Sequence, residues 1–111
     1  MLDAGRHLEG IADALRAIRP MPAAFDPNYV KRLEGTNIMA NTSKRAMLDQ
    51  VRADIQAFRD EHLCERMVMI WCGSTEIFIE TGPAHADIDA FEAAIDAEDP
   101  TIAPSMLYAY A

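Results

Sequence analysis

Apolar residues recur every three or four positions in three stretches of the chain. The first covers residues 2–18 and stops before two prolines, the second runs from a cap at Thr42 or Ser43 to about His62, and the third opens near Asp87. This period places the apolar residues on one helix face, and Ser, Thr and Asp favour the position before a first helical turn. The pattern therefore predicts three amphipathic helices. Their inward residues are Leu8, Ile11, Leu15 and Ile18, then Met47, Val51, Ile55 and Phe58, then Ile88, Phe91, Ala94 and Ile95.

Two shorter helices are predicted from their end signals. Asp26 can cap a helix that has Pro27 at its first position and that Gly35 closes. Another helix begins at Ser105. Prolines and small polar residues between these elements indicate loops.

The most hydrophobic segment, MVMIWC at 67–72, has neither the helical period nor polar alternation. It is too short for a typical helix, and an unbroken apolar run is typical of a strand buried on both faces. Such a strand needs parallel neighbours joined by crossover helices, and the chain supplies only this one clear strand. The pattern predicts a helix-rich, incomplete α/β piece, cut at its C-terminal end, that self-associates when isolated.

Gly73, Ser74 and Thr75 follow this predicted strand directly. In open α/β sheets, ligands bind beyond the carboxyl ends of the strands. Glycine allows close backbone approach, and the two hydroxyls and the backbone N–H groups suit ribose, phosphate or amide atoms. An ordinary strand-ending turn would use the same residue types. The residues alone leave both interpretations open.

The charge balance and the scattered thiols and imidazoles exclude several kinds of function. Eighteen acidic residues against ten Lys plus Arg give a formal charge of −8, which disfavours nucleic acid and anionic membrane surfaces. The longest apolar run cannot cross a bilayer and no signal-peptide pattern is present, so a cytoplasmic protein is expected. The two cysteines and three histidines lack metal-site spacing, so no metal site is predicted.

Three stretches occur in the order and with the approximate spacing of one known family. They are FDPNYVKRLEGT at 25–36, RMVMIWCGSTEIF at 66–78 and DPTIAPSMLYAYA at 99–111. In eukaryotic members the middle stretch looks like VLWTANTER, in which Trp71 and Thr75 have identical counterparts. On these residues the chain resembles the inositol-3-phosphate synthases (myo-inositol-1-phosphate synthases), particularly the bacterial members.

The resemblance implies that residues 1–111 are an internal fragment, a partial Rossmann-like NAD-binding domain. Such enzymes convert glucose 6-phosphate to 1D-myo-inositol 3-phosphate by NAD-dependent oxidation, enolisation, aldol cyclisation and re-reduction. The family's glycine-rich loop and lysines have no counterpart in this chain, so no catalytic residue is assigned and the isolated fragment is expected to be inactive. The full enzyme is expected to be a homo-oligomer.

The resemblance also implies which residues contact NAD. The family's cofactor loop corresponds to Cys72, Gly73, Ser74 and Thr75, of which Thr75 is identical in the eukaryotic pattern. Ala24 matches a second contact by position. Eukaryotic members carry an arginine near the cofactor in a pattern like ARADN, whereas the corresponding GTNIMAN here has none.

One alternative needs no cofactor. A free-standing, mostly helical interaction module would pack the segment 67–72 under its helices or against the sheet edge of a partner. A separate small NAD-dependent enzyme is disfavoured, because the sequence has no pyrophosphate-binding glycine loop.

Overall fold

The computed structural model describes residues 12–13, 16–31, 35–40 and 43–111. Most of the helix predicted over 2–18 lies outside these residues, although 12–13 and 16–17 are helical. The short helix predicted from Asp26 is a turn where it is described: the Asp26 side chain accepts a 2.8 Å hydrogen bond from the backbone N–H of Asn28. The rest of that predicted helix includes residues outside the described part.

The longest helix, α1, spans Lys44–Glu61 and confirms the prediction from its apolar stripe. The Ser43 hydroxyl accepts from the Ala46 N–H at 3.1 Å and so satisfies one of the free donors of the first turn. At the other end His62 caps the helix and Leu63 takes a positive φ of 50°, which turns the chain away.

Two further helices follow a 3₁₀ turn at Pro83–His85. Helix α2 spans Ile88–Asp96, and its predicted cap, Asp87, accepts from the Ala90 N–H at 2.8 Å. Helix α3 spans Pro104–Tyr110 and begins one residue before the predicted start, because proline suits the first helical turn. Both helices confirm the sequence predictions.

The core lies where α1 packs against α2 and α3. Leu48 of α1, Ile95 of α2 and Leu107 of α3 are fully buried there, together with Ile102 in the connection. Burial of this kind contributes roughly 1.5–3 kcal/mol for each large apolar side chain. None of the helices in the described ranges is long and apolar enough to span a membrane.

A polar cluster, the Arg45 cluster, joins the three helices on the outside of this core. The Arg45 guanidinium of α1 binds the carboxylates of Glu92 and Asp96 on α2, with a 2.8 Å bond from Nε to Asp96. The Tyr110 hydroxyl of α3 donates to Glu92, and the Arg52 guanidinium lies 5.0 Å from the centre of the Tyr110 ring. The hydrogen bonds from Arg45 lower the pKa of both carboxyls, and the bond to Glu92 raises the pKa of Tyr110.

The buried strand predicted over 67–72 is not found. Among the described residues these backbone groups have no ladder partner, and their side chains are exposed. Exposure alternates, with Val68 at 87% and Ile70 at 79%, against 40% for Met67 and 48% for Trp71. Alternation is the signature of extended backbone with one face turned to the protein. The segment shows the side-chain alternation of a strand, but the described residues provide no neighbours that would pair with it and bury it.

Candidate functional site

A short antiparallel contact joins the two parts of the chain that carry the predicted site residues. The N–H of Ile77 donates to the carbonyl of Ala24 at 2.9 Å, and Phe25 and Glu76 form an isolated antiparallel bridge. Backbone pairing therefore holds Ala24 beside the loop that ends at Thr75.

A cavity of about 190 Å³ lies between these two parts. Three of the five predicted residues, Ala24, Gly73 and Thr75, line it. The other two, Cys72 and Ser74, are exposed and do not line it. The cavity wall is completed by residues that the sequence analysis did not assign, among them Met21, Phe25, Trp71, Glu76, Pro104 and Tyr108.

Gly73 is packed too closely for any side chain. A Cβ at this position would lie 2.6 Å from three atoms of the Trp71 indole, which is shorter than real carbon contacts allow. The constraint is steric and does not come from the backbone conformation, since Gly73 has no positive φ. The indole thus folds back over the loop and forms one wall of the cavity.

Glu76 places a carboxylate in the same wall. One of its oxygens accepts a 2.9 Å hydrogen bond from the N–H of Ser105 in the first turn of α3. A carboxylate only accepts hydrogen bonds and carries negative charge. The cavity wall at this point therefore favours hydroxyl or amide donors and disfavours phosphate.

Tyr108 connects the indole to the other side of the cavity. Its ring lies 5.2 Å from the ring of Trp71, tilted by 37°, and its hydroxyl accepts from the N–H of Met21 at 3.0 Å. Sequence reasoning missed this residue. Tyr108 stands inside the third family-like stretch, but no local period links it to Met21, which is 87 positions away.

A larger apolar groove of about 450 Å³ lies between α1 and residues 66–69 and is also lined by Tyr108. None of the predicted site residues lines it. Its apolar walls include Val51, Ile55 and Phe58 of α1 and the side chains of Met67, Val68 and Met69. The smaller cavity, where the predicted residues and the polar groups converge, is the candidate site.

In the described part of the chain, His85 and the two cysteines are occupied or isolated and do not form a metal or proton-transfer site. His85 accepts from the Gly82 N–H at Nδ1 (2.9 Å), and its Nε2 faces the Thr101 carbonyl at 3.1 Å. Both ring nitrogens therefore hold the local backbone together. Cys64 and Cys72 are free thiols, and no group of three His, Cys, Asp or Glu side chains in the described ranges could hold a metal ion.

Comparison with known proteins supports the family resemblance. A family model described as myo-inositol-1-phosphate synthase matches residues 2–111. The chain is 46% identical over 107 residues to inositol-3-phosphate synthase 1 of Bacteroides thetaiotaomicron. This alignment covers 96% of this chain and 25% of that protein. The chain is also 36% identical over 108 residues to the inositol-3-phosphate synthase of Trypanosoma brucei brucei. This second alignment covers 93% of this chain and 20% of that protein.

The chain thus spans 20–25% of the length of these relatives. Similarity along nearly the whole chain does not favour the alternative of a free-standing interaction module. No solved structure matches the chain.

Proposed function

The chain belongs to the myo-inositol-1-phosphate synthase family, and from this premise we propose that it is part of the Rossmann-like NAD-binding domain of an inositol-3-phosphate synthase. The domain would comprise residues 1–111 and further parts of a longer chain. The name of the matched family model denotes NAD binding, which supports NAD as the cofactor.

The complete enzyme would convert glucose 6-phosphate to 1D-myo-inositol 3-phosphate. NAD, when bound, takes up and returns the reducing equivalents, so the net change is an isomerisation. This chain would contribute part of the cofactor site and no catalytic residue. We further propose that the enzyme is a cytoplasmic homo-oligomer that does not bind nucleic acid, in keeping with the net charge of −8.

The observation that carries the proposal is the convergence of Ala24, Gly73 and Thr75 on one cavity. The cavity, at about 190 Å³, is smaller than the roughly 300–1,000 Å³ of pockets that enclose a whole ligand. It would hold one portion of the dinucleotide, with the rest extending beyond it.

The residues present fit such a portion. The bare backbone of Gly73 allows close approach, the Thr75 hydroxyl can donate or accept, and the Glu76 carboxylate suits a ribose hydroxyl. Cys72 and Ser74 are exposed beside the cavity, and we propose that they contact cofactor atoms outside it.

Calorimetric titration of NAD into the purified chain tests the proposal, with circular dichroism to establish folding. We expect saturable binding. Thr75→Ala should weaken this binding about fivefold, because the loss of one hydrogen bond costs about 1 kcal/mol. Thr81→Ala is the matched control, because Thr81 is exposed and does not line the cavity. A well-folded monomer that binds no NAD, or equal effects of the two substitutions, would contradict the proposal.

A further inference from the structure

Helix α3 touches both parts of the chain that form the candidate site. At its start, the Ser105 N–H binds the Glu76 carboxylate, next to Thr75 in the sequence. One turn later, Tyr108 reaches across the cavity to Met21, three positions before Ala24. The helix therefore bridges the two parts independently of their own backbone contact.

The hydroxyl of Tyr108 is well placed to fix the distance between the two parts of the chain that form the candidate site. Met21 is only 5% exposed, so its backbone N–H depends on the Tyr108 hydroxyl for a partner. A buried donor left without an acceptor is costly, so the two groups are expected to move together. The hydroxyl ties α3 to the Ala24 side of the cavity.

The ring of Tyr108 contacts the part of the site on the Gly73 side of the cavity. It contacts the Trp71 indole at 5.2 Å, and that indole in turn covers Gly73. Aromatic pairs at this separation and tilt are attractive beyond their buried area. One side chain thus connects Met21, Trp71 and the loop that begins at Gly73.

We propose that Tyr108 is a positioning residue of the NAD site, which sets the distance between Ala24 and the loop 73–75 through its contacts with Met21 and Trp71. The inference rests on the proposed function and adds a residue outside the family-derived contacts. Tyr108 acts on the cofactor through the site residues, and its hydroxyl is already engaged by Met21.

Tyr108→Phe is the appropriate test, because it removes the hydroxyl and keeps the ring and the helix. Tyr110→Phe is a matched control on the same helix, since the Tyr110 hydroxyl binds Glu92 away from the cavity. Two quantities are measured in the purified chain: NAD affinity by calorimetry, and acrylamide quenching of Trp71, the one tryptophan in the sequence. Circular dichroism and urea unfolding establish that each variant folds.

We expect Tyr108→Phe to weaken NAD binding about fivefold and to increase the quenching of Trp71. The phenylalanine ring lacks the hydrogen bond to Met21 and therefore holds the indole less firmly. Tyr110→Phe should lower stability while leaving both quantities unchanged. A purely structural role of Tyr108 would lower stability without moving affinity or quenching, and that result overturns the inference. Equal losses of affinity in the two variants would overturn it as well.

Absence of NAD binding by the folded wild-type chain would refute the proposed function. The positioning role would fall with it, because the role is defined on the NAD site. Equal quenching in wild type and Tyr108→Phe, with NAD binding by the wild type intact, would refute the positioning role alone.

Discussion

The indole of Trp71 occupies the space that a side chain at Gly73 would need. A Cβ at residue 73 would lie 2.6 Å from atoms Nε1, Cε2 and Cζ2 of the indole. Because protein interiors are close-packed, one added methyl group must displace the ring or the loop. The shape of the candidate site therefore depends on the absence of a side chain at this position.

Gly73→Ala should weaken NAD binding and shift the emission of Trp71 to longer wavelength, because the displaced indole becomes more exposed. Titration calorimetry and the emission spectrum measure the two effects. Gly82→Ala is the control, since a Cβ at Gly82 would meet nothing within 4 Å. An unchanged affinity and spectrum in Gly73→Ala would show that the indole does not pack on the loop in solution.

Leu48→Ala should destabilise the chain by about 2–5 kcal/mol, because Leu48 is fully buried in the core between the helices. Urea unfolding followed by circular dichroism measures the loss. Leu63→Ala removes the same atoms from a side chain that is 87% exposed and should change stability by less than about 0.5 kcal/mol. Similar losses in both variants would mean that α1 does not pack as described.

The Arg45 cluster should make stability depend on pH in acid. The pKa of Glu92 lies below its ordinary value of 4.5, because the folded state stabilises the ionised carboxyl through the hydrogen bond from Arg45. The pKa of Asp96 likewise lies below its own ordinary value of 3.8, because Arg45 also donates a hydrogen bond to this carboxyl. Their contribution is complete above the ordinary carboxyl pKa values and is lost as the pH falls through the lowered ones.

Arg45→Gln should therefore lower the unfolding temperature at pH 7 and flatten its further decrease in acid, as measured by thermal unfolding from pH 7 to pH 3. Arg59→Gln serves as the control, because Arg59 is an exposed α1 residue with no ion pair among the described residues. If the acid dependence of Arg45→Gln matched that of the wild type, the cluster would not be its source.

The segment 67–72 should cause the isolated chain to self-associate. Its backbone groups lack partners in the described part of the chain, and Val68 and Ile70 present an apolar face to solvent. Sedimentation velocity at several concentrations should show association in the wild type and much less in the double variant Val68→Thr, Ile70→Thr. Leu63→Asn, at a position that is also 87% exposed but lies outside the segment, should not reduce it, because asparagine tolerates the positive φ of residue 63. A wild-type chain that stays monomeric at all concentrations would contradict this expectation.

Helices α1 and α2 could be predicted because their signals are local. Ser43 and Asp87 cap the helices within three residues, and the apolar stripes repeat within each helix. The exposure of 67–72 could not be predicted, because an apolar run does not specify what covers it. The outcome depends on neighbours in space, and the described residues do not provide them.

The candidate site was predictable only in part, for a related reason. The loop at Gly73 and Thr75 and the position of Ala24 came from the family resemblance, and their juxtaposition depends on the hydrogen bond between Ile77 and Ala24. Tyr108 had no such signal, since its partner Met21 lies 87 positions earlier in the chain. Contacts at this separation leave no periodic trace in one sequence.

The exposure of 67–71 also indicates where a larger domain would join the described residues. Met67, Val68 and Met69 all line the groove beside α1, yet Val68 and Ile70 remain 87% and 79% exposed. A polypeptide that completes a larger domain would cover the side chains of Val68 and Ile70 and pair with the backbone groups of 67–72, which have no ladder partner among the described residues. The segment is thus the surface along which the rest of a larger domain would pack.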